Sequence, residues 1–431
     1  MTIFWHRRDL RINDNAGLFA ALRNTKKVQP VFIFDQNILE DLKEDDQRIL
    51  YIYQHIQALK RAYNEHGSDL WVFYGTPESV FKELLKKEEI SAVFANRDYE
   101  PYAKSRDEQI KTLLQNQNIP FHTLKDHVIF EKNEVVKSDG TPYRVFTPYM
   151  RLWKSVLTPF YLKSYSTEKY IGNLRQIKSP TALISLKKMG FLTEQKQDFP
   201  PLEVSNKIIQ NYHNTRDIPS LQGTTRMSLH LRFGTISIRE LCKQAQSNEK
   251  YFNELIWRDF YQMILDYFPD SADRSFKTQY GNIPWENNEI YFQAWCSGKT
   301  GYPIVDAGIR ELNATGFMHN RVRMVVASFL TKHLMTDWRL GEAYFAEKLL
   351  DYEMASNVGG WQWAASSGVD AQPYFRVFNP ISQQEKFDPE FKYIKKWVPE
   401  YGTNKYPEPI VEHKKARQHA IDTYKKALSS V

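Results

Sequence analysis

Apolar and polar positions follow two regimes along the chain. Over the first 130 residues, short apolar runs at 2–5, 31–34, 70–74 and 92–95 alternate with helically spaced segments at 15–23, 48–66, 78–87 and 104–116. Runs that short and that uniformly apolar predict strands buried on both faces. Residues 120–124 are expected to add a fifth. Thr76-Pro77-Glu78 supplies a side-chain cap followed by a proline suited to a first helical turn. This alternation predicts a doubly wound α/β domain with a parallel sheet over residues 1–130. No Gly-x-Gly-x-x-Gly loop follows the first strand, so a dinucleotide held in the usual way is not expected there.

Residues 131–204 break the pattern with Gly140-Thr141-Pro142, Thr158-Pro159, Ser179-Pro180 and Phe199-Pro200-Pro201. They read as a long connector with one helix near 149–157. From 205 to 431 the spacing is helical, with apolar residues at i, i+3 and i+4 in 255–267, 308–312, 321–334 and 342–350. The basic stretch 412–429 is expected to form one helix with a solvated face. The predicted fold class is an α/β doubly wound domain followed by an all-α domain.

Composition narrows the function. A length of 431 residues suits two domains, and 42% hydrophobic with 14% aromatic content is enough for a sizeable core. No apolar run approaches the roughly 18 residues of a membrane span. The N-terminus lacks the apolar stretch of a signal peptide. Two cysteines, Cys242 and Cys296, are too few for a disulfide framework or a zinc cluster, and an intracellular, reducing setting is expected. The net charge of +7 favours a polyanionic partner.

Candidate chemistry concentrates in residues 320–363. Trp361-Gln362-Trp363 places two of the chain's ten tryptophans two residues apart, so they face different surroundings. An isolated pair of this kind most often fills a core. Gly223-Thr224-Thr225-Arg226-Met227-Ser228 offers hydroxyls and backbone amides before a helix-like run, either as a helix cap or as a phosphate cradle. Glu254, Trp257 and Arg258 share a helical face, where a carboxylate beside an indole could bind an NH-bearing aromatic ring. The plainer alternative is a Glu254–Arg258 surface pair. In His319-Asn320-Arg321-Val322-Arg323-Met324, Asn320 and Met324 share a face. A buried Arg323 needs a carboxylate, for which Asp351 is the candidate. Trp5-His6-Arg7-Arg8-Asp9-Leu10-Arg11 with Asp14-Asn15 reads as a structural strand–turn–helix, with Arg–Asp pairing and an Asn cap.

Taken together these segments resemble the photolyase/cryptochrome family, and within it the class I cyclobutane pyrimidine dimer photolyases. The resemblance spans nearly the whole chain, from Trp5 to Pro380, and is most specific in residues 253–260, 299–306, 318–324 and 361–380. It implies an α/β antenna domain and a helical domain holding FAD. It also implies light-driven repair of pyrimidine dimers in DNA, by electron transfer from excited reduced FAD to a flipped-out dimer. By motif match, Tyr212, Thr224, Thr225, Arg226, Met227 and Ser228 fall where the family holds the FAD phosphates and ribityl. Tyr251, Arg258 and Glu353 belong to the same cofactor set. Arg323 and Asp351 match an ion pair beside the isoalloxazine, and Asn357 the residue facing flavin N5. Glu254, Trp257, Asn320, Met324 and Trp363 match the dimer pocket, with Arg226, Arg321 and Arg376 as phosphate contacts. Trp361, Trp338 and Trp285 match a three-tryptophan path for reducing FAD.

The chain departs from the family pattern at several points. Tyr251 and Phe317 stand where Trp is common, and Glu353 where Asp is usual. Tyr99-Glu100-Pro101-Tyr102-Ala103-Lys104 lacks the Asn and Glu of folate-binding members, which leaves a deazaflavin, a folate or no second chromophore. A (6-4) photolyase is expected to carry paired histidines where this chain has His319-Asn320. A plant-type cryptochrome light sensor is expected to carry Asp in place of Asn357. The implied partner is damaged DNA, with no membrane, and the implied state is a monomer.

Overall fold

The computed structural model describes residues 1–429. The chain forms two compact units. One comprises residues 1–131, 157–204 and 227–244; the other comprises 132–156, 205–226 and 245–431. The stretch 131–204, expected as a connector, is thus divided between the units. Residues 227–244, expected within the helical domain, belong to the first unit. Turn-rich sequence shows where regular structure stops, but not which core its side chains join.

The first unit is built on five parallel strands, β1 (Thr2–His6), β2 (Val28–Asp35), β3 (Trp71–Gly75), β4 (Ala92–Asn96) and β5 (Phe121–Leu124), in spatial order β3-β2-β1-β4-β5. The chain direction across the sheet reverses between β1 and β4, the switch point of a doubly wound fold. The helices Ala16–Asn24, Gln47–Glu65, Pro77–Lys87 and Pro101–Gln115 alternate with the strands. The Thr76 hydroxyl accepts from the Ser79 amide at 3.2 Å, with Pro77 at the first helical position. Val80, Phe81 and Leu84 meet Ile110 and Leu114 in one core over Trp5, Val31 and Val93.

At the switch point the charged N-terminal motif is consumed internally. Asn15 caps the first helix, accepting from Leu18 N at 3.1 Å. Asn96 donates to Asp9 at 2.5 Å and to Asn15 at 2.8 Å. Arg8 reaches Asp98 and Glu100, each at 3.0 Å, and Arg11 reaches Asp126 at 2.6 Å. Its arginines hold Asp98 and Asp126 well below the usual carboxylate range, against the cost of burying them.

The second unit is helical. Its main core joins the helices Glu289–Cys296, Pro303–Thr315, Asn320–Ser328, Trp338–Lys348 and Met354–Ala364. Two findings depart from the sequence reading. The continuous helix expected over 321–334 ends at Ser328 and gives way to a π-helical turn, Phe329–His333. That widened turn aims the fully buried Lys332 inward, where Nζ donates to Ser366 Oγ at 3.0 Å and lies 3.6 Å from the Tyr424 ring centre. The C-terminal helix, His413–Ser429, is also not simply a solvated face. Ala420 and Tyr424 are fully buried, and the Tyr424 hydroxyl donates to Ala365 O at 2.9 Å. Its basic residues occupy the other side, so composition alone masked a docked stripe.

Candidate functional site

Most of the candidate residues lie on a few helices of the second unit. Glu249–Tyr267 is started by Asn248, whose side chain accepts from Lys250 N and Tyr251 N. It carries Tyr251, Glu254, Trp257 and Arg258. The Tyr251 hydroxyl lies 2.8 Å from Thr225 Oγ1, and its ring meets Tyr212 edge-on at 5.1 Å. Thr224 is half-buried in the preceding loop. Arg226 adopts a left-handed φ of 56°, and its guanidinium rests 3.9 Å from the Phe317 ring centre. Met227 is buried and Ser228 exposed at the start of the short helix Ser228–Phe233, which belongs to the α/β unit.

The Glu254–Arg258 pair allowed by helical spacing is not formed. Arg258 turns to Glu353, 3.0 Å away, with both side chains buried. Glu254 turns to Arg216, with Oε1 to Nη1 at 2.6 Å. Burial raises the Glu254 carboxyl above its ordinary range, and Arg216 opposes the rise. Trp257 is stacked on Phe146 at 3.6 Å with planes 5° apart, and it packs on Tyr261 at 5.4 Å. Its Phe146-covered ring face is therefore taken within the chain.

The helix Asn320–Ser328 opens with an exposed Asn320 and carries a half-buried Met324 on the same face. Arg321 donates to Asp217 through Nη2 at 2.8 Å and Nε at 3.2 Å, and it lies over the Phe387 ring at 4.5 Å. Arg323 Nη2 donates to both Asp351 oxygens, at 3.1 and 3.0 Å, while its Nε holds Met318 O at 2.7 Å. His319 caps this helix by accepting from Arg321 N at 3.2 Å. Burial pushes its imidazole down to about 4.

Met354–Ala364 carries Asn357, Trp361 and Trp363. Asn357 Nδ2 donates to Glu342 Oε1 at 2.9 Å and to Glu342 O at 3.1 Å. Trp361 is 2% exposed, edge-on to Phe345 at 4.9 Å and to Trp295 at 6.1 Å. Trp363 is half-buried, 6.3 Å from Phe378. The two indoles thus occupy different surroundings, one inside the core and one at its edge. Trp338 is buried in the same core. Trp285 packs at the rim of that core and meets Tyr424 edge-on at 6.0 Å. Arg376 stands apart from these groups, exposed in the loop before Pro380–Phe387.

Sequence reading missed Arg216, Asp217, Glu342 and Phe146. Each reaches its partner from another element, and no local spacing records such contacts. The half-buried Glu342 was the nearest to legible, as a carboxylate one helical turn after Trp338 in a mostly apolar segment.

Comparison with known proteins identifies this arrangement. Residues 2–166 match the family model for DNA photolyase, and residues 251–404 match the FAD binding domain of DNA photolyase. A deoxyribodipyrimidine photo-lyase of Synechococcus is 37% identical, covering 95% of this chain and 93% of its own length. The crystal structure of a class III photolyase from Agrobacterium tumefaciens superposes with a TM-score of 0.87 at 30% identity, covering 99% of this chain and 98% of that one. An archaeal photolyase from Sulfolobus tokodaii, solved with two FAD molecules, has a TM-score of 0.85 at 36% identity and 99% coverage of both chains. The chain belongs to the DNA photolyase family, with that family's FAD-binding domain in its helical unit.

The donor set fits such a cofactor. A diphosphate calls for hydroxyls and a guanidinium, present in Thr224, Thr225 and Arg226. A polar ring edge calls for a directed donor and a fixed acceptor: the Arg323 guanidinium supplies the first, and the Asn357 amide oxygen the second, its Nδ2 hydrogens being held by Glu342. Among the described residues no helix is long and apolar enough to cross a membrane, and no cluster of His, Cys, Asp and Glu could hold a metal ion.

Proposed function

We propose that this protein is a light-driven lyase that splits cyclobutane pyrimidine dimers in DNA. The observation that carries the reading is the Met354–Ala364 helix. It bears an amide aligned by a half-buried carboxylate, an indole sunk in the aromatic core and an indole at the core's edge. A flavin, an electron path and an aromatic lesion would each need one of these.

When bound, reduced FAD supplies the electron that light drives into the dimer. Thr224, Thr225 and Arg226 would hold its phosphates, with Tyr212 and Tyr251 beside them. Arg323 would present donors to the ring system while Asp351 fixes its guanidinium and balances its charge. Arg258 and Glu353 brace the Glu249–Tyr267 helix against the start of Met354–Ala364. Glu342 fixes which way the Asn357 amide points, so Asn357 can face a ring nitrogen without giving up a proton.

The dimer would be flipped from the duplex, which is cheaper for a lesion than for a paired base. Glu254 would hydrogen-bond the pyrimidine edge. Trp257 and Trp363 offer aromatic surface, Asn320 an amide and Met324 a polarisable contact. Arg321 and Arg376 would meet backbone phosphates. Trp361, Trp338 and Trp285 share one aromatic core, which supports a path from its interior to its rim.

The test is repair of an oligonucleotide containing one thymine dimer by chemically reduced, FAD-loaded protein, in blue light and in darkness. Light-dependent recovery of thymine absorbance is expected. Bound flavin with no recovery would overturn the reading, and a (6-4) lesion would be assayed next.

A further inference from the structure

We infer that Asp217 is an internal stand-in for a DNA phosphate, competing with the backbone for Arg321 and thereby setting how tightly DNA is held. The inference rests on the pocket reading above. Around the candidate pocket, four charged side chains form a continuous chain. Glu254 accepts from Arg216 at 2.6 Å, Arg216 Nε lies 3.9 Å from Asp217, and Asp217 accepts two N–H bonds from Arg321. Two cations face two carboxylates, so the group carries no net charge when both acids are ionised. An arginine expected to meet phosphate is already occupied.

The geometry suits exchange. Asp217 Oδ1 takes Nε and Nη2 along one edge of the Arg321 guanidinium, the edge a phosphate oxygen would use. The Asp217 side chain is 40% exposed and that of Arg321 is 20% exposed. An ion pair so open to water is weak, and a phosphate can displace it at small cost. Arg321 also has contacts besides Asp217. Its guanidinium rests over Phe387 and its Nη1 lies 3.6 Å from Met324 Sδ. A phosphate taking Arg321 would therefore make one ion pair while breaking another. Such a contact releases fewer counterions than one made to a free arginine.

The experiment uses FAD-loaded full-length protein and a fluorescent duplex bearing one thymine dimer, with Kd measured against salt concentration. Asp217→Asn keeps the shape and removes the charge. It is expected to steepen the salt dependence by about 0.9 in the log–log slope and to tighten binding about five- to tenfold at low salt. Asp217→Glu keeps the charge and is expected to retain the wild-type slope. Flavin content and melting temperature of both variants check folding. Weaker binding by Asp217→Asn, as expected if Asp217 merely orients Arg321, would overturn the inference, as would an unchanged slope. Those results leave the pocket reading standing if wild-type protein still prefers the dimer-bearing duplex. Loss of that preference in the wild type would overturn both.

Discussion

The side-chain amide of Asn357 is held at two points by one residue, Glu342, through its carboxylate at 2.9 Å and its backbone carbonyl at 3.1 Å. Both acceptors take the Nδ2 hydrogens, so the amide oxygen is turned away from Glu342. Burial raises the Glu342 carboxyl above its ordinary range, and Asn357 opposes that rise. Asn357→Ala would leave a half-buried carboxylate short of a donor. A loss of about 1–3 kcal/mol in unfolding free energy is expected, measured by denaturant titration of the apoprotein. A smaller loss in Glu342→Gln/Asn357→Ala than in Asn357→Ala alone would show that the exposed cost is the carboxylate's charge.

Gly341 is required by Trp361. A methyl group at Gly341 would overlap the far edge of the Trp361 ring and also press on Leu330. Gly341→Ala should therefore cost about 1–3 kcal/mol through overpacking and shift the indole. Reduced intrinsic tryptophan fluorescence quenching and slower light-driven reduction of bound oxidised FAD are the expected readouts. A fully stable variant with unchanged photoreduction would show that the two helices separate freely.

Trp285 lies at the rim of the core that contains Trp338 and Trp361. Trp285→Phe should impair photoreduction of oxidised FAD and spare repair by protein already reduced with dithionite. Normal photoreduction would remove Trp285 from the path. Trp363→Ala is expected to differ in kind, weakening binding to dimer-bearing DNA while leaving FAD content intact.

Three buried histidines predict the acid limb of stability. Burial pushes His230 and His319 down to about 4 and His333 down to about 3. Each therefore binds a proton more readily in the unfolded chain, whose imidazoles titrate near 6.5. The stability they contribute is fully present above that value and is lost as pH falls toward 4. His230 shows the cause. It bonds Tyr51 and Pro200 O, at 2.7 and 3.0 Å, with no carboxylate among these partners. The melting temperature should fall from pH 7 to pH 5, with each histidine adding up to about 1.4 kcal/mol per pH unit. His230→Gln should flatten the slope.

Lys332 predicts the opposite limb. Burial pushes its amine well down, so stability should rise with pH from neutrality toward the free-lysine range. Lys332→Met should remove that rise, as read from melting curves between pH 7 and 10.

Much of this protein was legible in one dimension. Buried parallel strands are short and uniformly apolar, so the five strands were placed within a few residues of their observed bounds. Helix starts followed from Asn15 and Thr76, because a cap acts on amides only two or three residues away. The helical spacing of Glu254, Trp257 and Arg258 placed them on one helix. The resemblance named Arg323 and Asp351 together, 28 residues apart. Tertiary structure alone decided which partner each group takes. Spacing allowed Glu254 to pair with Arg258, yet packing brings Arg216 to one and Glu353 to the other. Phe146 reaches Trp257 across more than a hundred residues. The π turn at Phe329–His333 forms where Lys332 meets Ser366 and the Tyr424 ring. Hydrophobic periodicity and capping are local and act within a few residues of chain. Ion pairing and ring stacking are decided by distance in space, after the cores have chosen which surfaces meet.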